Sequence, residues 1–186
     1  MPTSKTLKFT TTNIPGLVII QPKVYGDHRG YFFESYSATS FKSEGLDLNF
    51  VQDNQSLSNK GVLRGLHFQK PPYEQGKLVR VITGAVQDVV VDIRKDSPTY
   101  GQSFSIRLTE ENQTVLWIPP GFAHGFCTLE DQTIFTYKCT ELYYPESEDG
   151  LMYNDPMFNI DWELDSVQLS DKDKILQAFT SFKSPF

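Results

Sequence analysis

The chain has 186 residues, enough for one domain with a substantial core. Apolar residues make up 39% and charged residues 22%, as in an ordinary globular protein, and the net charge of −6 argues against nucleic acid as a partner, since phosphate binding wants a basic face. No stretch approaches the ~18 apolar residues of a membrane span, and the opening MPTSKTLKFTTTNIPG lacks the apolar core of a secretory leader, so the expectation is a cytoplasmic protein without membrane association.

In chain order, GLVIIQPKVY (16–25) alternates as a strand. Asp27-His28-Arg29-Gly30 is a charged turn that leads into Phe32-Phe33-Glu34. Ser37 to Glu44 predicts a short helix capped by Ser or Thr. Gln52-Asp53-Asn54 reads either as a turn or as amide and carboxylate groups suited to a nucleobase or sugar. Further strands are predicted at LVRVITG (78–84), AVQDVVVDIR (85–94), SFSIRLT (103–109), TVLWIPP (114–120) and TIFTYKCTELYY (133–144).

Within 85–94, Val89, Val91 and Ile93 form an apolar face, and Asp88, Val90, Asp92 and Arg94 a mixed one. A second short helix is expected near Ser170-Asp171-Lys172-Asp173 and the following KILQAF. Strands about ten residues apart predict an antiparallel sandwich or barrel, read here as one domain over 1–186 with no repeat or linker. Cys127 and Cys139 are too few for a disulfide framework and lie in apolar stretches, which predicts buried free thiols.

The chemistry concentrates around GVLRGLHFQK (61–70). His67 reads as a core residue, a metal ligand or a proton-transfer base. Arg64 is an odd number of residues before it, so the two share a face only if Gly65 bends the strand. Gly61, His67, Gln69 and Glu74, followed by Pro119-x-Gly121-x-x-His124, resemble the two signature motifs of the cupin family of β-barrels. Gln69 stands where metal-binding cupins carry a second histidine, and an amide oxygen is a weaker ligand than imidazole. The chain's one other histidine is His28.

An imidazole also suits proton transfer near neutrality. Arg64, Lys77 and Arg80 read either as solvated strand positions or as cations for an anionic substrate. Tyr137 and Tyr143, an even number apart, share a face if the last strand runs through both, as core aromatics or as a proton donor.

DHRGYFFES, FVQDNQSLSNKGVLRGLHFQ, QGKLVRVITGAVQDVVVDIRKDSPTYG, IPPGFAHGF, YKCTELYYPESEDG, YNDP and LSDKD resemble, in order and spacing, the dTDP-4-dehydrorhamnose 3,5-epimerase family. The resemblance implies an all-β, antiparallel barrel or jelly roll of the cupin type with a few short peripheral helices. It further implies a homodimer, no cofactor, no metal, and a dTDP-4-keto-6-deoxy-hexose substrate in dTDP-L-rhamnose biosynthesis.

Position by position, it implies a base at His67, an orienting aspartate at Asp173, a proton donor at Tyr137 and a lysine near the sugar's C4 oxygen at Lys77. Nucleotide and sugar contacts fall on Arg29, Glu34, Gln52, Asp53, Asn54, Arg64, His124, Tyr143, Glu148 and Lys172. Asp171 lies two residues from Asp173 and leaves the orienting aspartate open. Tyr153 stands where many relatives have Trp. The rival readings are a sister enzyme inverting only C3 or C5, a non-catalytic sugar-nucleotide-binding cupin, and a metal-dependent cupin oxygenase.

Overall fold

The alternation in the sequence becomes two antiparallel sheets lying face to face. The structure, a computed structural model, describes residues 6–186; the first five residues of the N-terminal segment read above lie outside the described residues. The strands before the barrel's middle are β1 (Leu7–Thr11), β2 (Val18–Pro22), β3 (Tyr25–Asp27), β4 (Gly30–Phe32), β5 (Gln52–Ser58) and β6 (Leu63–Gln69). They are followed by β7 (Lys77–Thr83), β8 (Ala85–Asp92), β9 (Ser103–Thr109), β10 (Val115–Ile118), β11 (Phe122–Thr128), β12 (Thr133–Cys139) and β13 (Glu148–Gly150). One sheet has the order β1-β2-β10-β7-β12-β5, the other β13-β6-β11-β8-β9, and β3 and β4 form a separate hairpin.

Between the sheets, Val79, Val81, Leu116 and Phe135 from one side meet Val86, Val90, Leu108 and Phe126 from the other. Phe126 and Phe135 stack with ring centroids 4.1 Å apart. Truncating the fully buried Phe135 to Ala would cost about 3–5 kcal/mol, from lost transfer energy and the cavity left behind. A second core lies on the outer face of the five-stranded sheet, where Val89, Val91 and Ile93 pack with Leu151, Phe158 and Phe182 of the C-terminal segment.

This second core fixes the orientation of β8, which the two faces read from the sequence left open. Its apolar face is turned out of the barrel and covered by the C-terminal segment. The mixed face is the barrel interior, so Asp88 and Asp92 are buried.

The first short helix forms as the sequence predicts: α1 (Ala38–Ser43) has Ser37 as its N-cap, accepting from the Ser40 amide. The second does not form. Ser170 Oγ accepts from the Asp173 amide, but only a 3₁₀ turn, Asp173–Ile175, follows, because the chain then extends so that Gln177 pairs with Leu151.

The final long strand also stops early, at Cys139, so Tyr143 is not on it. Beyond Thr140 the ladder is replaced by glutamine side chains. Gln75 donates to the Glu141 carbonyl, Gln52 accepts from the Tyr143 amide, and Gln69 accepts from the Tyr144 amide. Gln52, Asp53 and Asn54 belong to β5 and are not a turn. Cys127 and Cys139 are free and buried; burial, with Glu163 adding to it, pushes the Cys127 thiol up to about 11. No helix among the described residues is long and apolar enough to cross a membrane.

Candidate active site

The site begins with an irregularity between β6 and β11. His124 pairs with His67 and Phe126 with Arg64, so two residues on β11 are matched by three on β6. The extra residue bends β6 and puts Arg64 and His67 on the same side, which a regular strand forbids. Gly65 makes this possible. Its φ of +125° suits glycine, and a Cβ there would lie 2.5 Å from Gly125 Cα and 2.7 Å from the His124 carbonyl oxygen.

Arg64 and His67 line a cleft of about 610 Å³ at the barrel mouth, together with Asn54, Lys77, His124 and Tyr137. The segment after Gln168 forms another wall and carries Lys172 and Asp173.

His67 Nε2 lies 2.5 Å from Asp173 Oδ1. Asp173 is buried while His67 keeps a quarter of its side chain exposed. Burial opposes ionisation of Asp173, but its contacts with His67 and Ser170 and the charge of Lys172 prevail and hold its pKa below the ordinary value. A carboxylate accepts, so Nε2 carries the proton and the Nδ1 lone pair is left as the basic atom. Asp171 is 99% exposed and pairs with Lys174, which settles geometrically which aspartate faces His67.

A second pair lies deeper. His124 Nε2 is 2.9 Å from Asp88 Oδ2, both side chains almost wholly buried. The two histidines are direct cross-strand partners, each with its own aspartate. Asp88 Oδ1 is buried and has no hydrogen-bond partner among the described residues.

Lys77 on β7 and Tyr137 on β12 are diagonal neighbours, since Lys77 is paired with Cys139 and Tyr137 with Val79, and the Lys77 ammonium is 5.9 Å from the ring centroid of Tyr137. Burial lowers the pKa of Lys77, against the opposing pull of Cys139, Glu148 and Asp88. Burial raises that of Tyr137, with Cys139 and Glu148 adding to it and Arg64 opposing, so the phenol keeps its proton at neutral pH. At the mouth, the Tyr143 hydroxyl donates to Glu148 at 2.5 Å, and Glu148 pairs with Lys172. The Glu148 contact pushes Tyr143 up to about 12.

An imidazole, a phenol and a lysine amine thus line one cleft. A model of the dTDP-4-dehydrorhamnose 3,5-epimerase family matches residues 11–181. The chain belongs to this family.

A Methanothermobacter thermautotrophicus protein named dTDP-4-dehydrorhamnose 3,5-epimerase is 51% identical over 170 residues, covering 90% of this chain and 91% of the relative. The crystal structure of a dTDP-6-deoxy-D-glucose-3,5-epimerase from Legionella pneumophila, in complex with dTDP-4-keto-L-rhamnose, superposes with a TM-score of 0.91. It is 49% identical, with 95% of each chain covered. ChmJ, a 3′-monoepimerase from Streptomyces bikiniensis crystallised with dTDP-quinovose, is 32% identical with a TM-score of 0.87, covering 91% of this chain and 86% of its own. The paired sheets are the cupin-like jelly roll of these epimerases.

Not every residue mapped from the epimerase family reaches the cleft. Gln52 is engaged by Asn54 and the Tyr143 amide, and Asp53 points to the other face of β5, where it pairs with Lys138. Arg29 and Glu34 lie off the cleft altogether. Arg29 sits on the exposed β3–β4 turn, paired with Asp27, and Glu34 accepts from Thr6 Oγ1 at 2.8 Å. His28 is exposed on the same turn. Arg80 points out of the barrel, its guanidinium 5.7 Å from the Phe33 ring.

The metal-cupin pattern is not assembled. Gln69 is buried and engaged by three backbone groups, donating to the Tyr73 and Leu142 carbonyls and accepting from the Tyr144 amide. It staples the segment around Tyr73 to the one carrying Leu142 and Tyr144. Among the described residues no three His, Cys, Asp or Glu side chains converge as a metal site. Sequence reasoning passed over Asp88, whose only signal was an acid set among valines.

Proposed function

We propose that this protein inverts C3 and C5 of dTDP-4-dehydro-6-deoxy-D-glucose to give dTDP-4-dehydro-L-rhamnose, with residues 1–186 acting as one cupin-like epimerase domain. The observation that carries the reading is the opposed placement of His67, tied to Asp173, and Tyr137, beside Lys77, around one cleft.

The C4 ketone acidifies the C–H bonds on both neighbouring carbons. His67 Nδ1 takes the C5 proton, the bonding electrons move toward O4, and Asp173 holds the resulting imidazolium. Lys77 meets the charge that develops on O4; its ammonium, little hydrated, gains most when that charge appears. Tyr137 returns a proton to the opposite face of C5. His67 then loses its proton to solvent and Tyr137 regains one; the same base removes the C3 proton, and a solvent-derived proton returns to the opposite face of C3. No net oxidation occurs, so the step calls for no redox cofactor.

Arg64 and Lys172 supply local positive charge for the diphosphate in an otherwise acidic protein. Asn54 and His124 line the cleft, with Tyr143 and Glu148 at its mouth, as the polar surroundings for nucleotide and sugar, and Gln52 acts behind them by holding Asn54 and the Tyr143 amide.

The protein works as a homodimer in the cytoplasm. The off-cleft position of Arg29 and Glu34 supports this, as does the exposed aromatic surface of their hairpin, where Tyr31 is 62% and Phe32 71% exposed. A partner's hairpin brings these residues to the cleft.

Incubation of the purified protein with dTDP-4-keto-6-deoxy-D-glucose, followed by proton NMR of the product, tests the reading. Ring couplings of the L-rhamno configuration are expected; unchanged substrate overturns it, and inversion at one carbon replaces it with the sister enzyme.

A further inference from the structure

Ser56 lies between Asn54 and Ser58 on the inward-facing side of β5 and lines the His67 cleft. Its Oγ is buried and has no hydrogen-bond partner among the described residues. A buried hydroxyl without a partner destabilises the fold. The neighbouring inward side chains are not left so. Ser58 Oγ accepts from Arg64 Nη2 at 3.2 Å, and the Asn54 amide is held between Gln52 and Cys139.

Register places the unpaired hydroxyl along the cleft. Asn54 is opposite Tyr137, at the level of the reacting carbons, and Ser56 is opposite Phe135, one step further along β5 toward Ser58 and Arg64. Ser56 therefore belongs to the end of the cleft where Arg64 supplies positive charge.

We propose that Ser56 is a further substrate-contact residue, whose hydroxyl donates to a diphosphate oxygen of the sugar nucleotide beside the Arg64 guanidinium. The proposal rests on the epimerase reading and deepens it. A turn about χ1 carries Oγ from its unpaired position into the cleft, and the bond it then makes, to a charged oxygen, is stronger than one to a neutral acceptor. The hydroxyl weakens the empty protein and serves the occupied one.

The test compares wild type, Ser56→Ala and Ser56→Thr by thermal melting, by calorimetric titration with dTDP and with thymidine, and by steady-state kinetics. For Ser56→Ala the expected result is a melting temperature equal to or above wild type, and dTDP affinity lower by about ten- to a hundredfold. Thymidine affinity is unchanged, and KM rises without a fall in kcat. Ser56→Thr, which keeps the hydroxyl, restores dTDP binding. Unchanged dTDP affinity in Ser56→Ala overturns the proposal, as does an equal loss for thymidine and dTDP. A lowered melting temperature with normal affinity assigns Ser56 to the fold instead. Wild-type protein that binds dTDP but inverts nothing overturns the epimerase reading and leaves the Ser56 contact standing.

Discussion

His67 on β6 and Asp173 on the C-terminal 3₁₀ turn are 106 residues apart in sequence and 2.5 Å apart in space. The barrel supplies one member and the strap that closes over it supplies the other. Gln168 pairs with Val62 before the turn and Gln177 with Leu151 after it, so the strap is fixed at both ends while its middle reaches His67.

This arrangement separates two roles that kinetics can tell apart. His67→Ala removes the base and is expected to lower kcat by about 10²–10⁴-fold with the fold intact. Asp173→Asn removes the acceptor that fixes Nε2–H and is expected to lower kcat as well, with little change in KM. Steady-state kinetics with circular dichroism checks both. Normal turnover without the His67 imidazole would contradict the assignment.

Tyr137→Phe keeps the ring packing against Phe135, whose centroid is 6.1 Å away, and removes only the hydroxyl. The base still functions, so solvent deuterium is expected to enter the substrate while inversion at C5 falls by about 10²-fold or more. Mass spectrometry and NMR on one sample report both. Wild-type inversion in this variant would place the proton donor elsewhere.

Much of this was legible in the sequence and some was not, for identifiable reasons. Six strands follow from alternation because one face of each is apolar. β11 escapes that rule because it is buried along its whole length, and β6 because its bulge breaks the alternation and puts Arg64 and His67 on the cleft side. β8 shows the pattern but not its orientation, since the pattern alone does not say that the mixed face with its acids is the inner one, with Asp88 holding His124. The condition placed on Gly65 was readable from the odd spacing of Arg64 and His67. The strap's contact with His67 was not, because periodicity carries no information about partners 106 residues away.

Acid stability should report the buried carboxylates. Asp173 and Glu148 are both held below their ordinary pKa values, Asp173 against its burial by His67 and Ser170, Glu148 against its burial by Lys172 and Tyr143. Each depressed carboxyl contributes stability that is fully present above its unfolded value of about 4, and loses it as pH falls through the lower folded value. Urea midpoints measured across this range should fall with pH in wild type and less steeply in Asp173→Asn. Parallel curves would contradict the linkage.

The proposed trans arrangement of the hairpin predicts complementation. Arg29→Ala and His67→Ala, each expected to be impaired alone, should regain activity when co-expressed, since a mixed dimer has one cleft with both residues intact. Failure of two stable, dimeric variants to complement would place Arg29 in its own subunit's site or in none.

Deuterium incorporation tests the central claim most directly. The protein is incubated with dTDP-4-keto-6-deoxy-D-glucose in deuterated water, and the product's C3 and C5 positions are read by NMR. The account predicts deuterium at both carbons with inverted configuration, because His67 and Tyr137 exchange with solvent between turnovers. Deuterium at neither carbon, or at one alone, would contradict it.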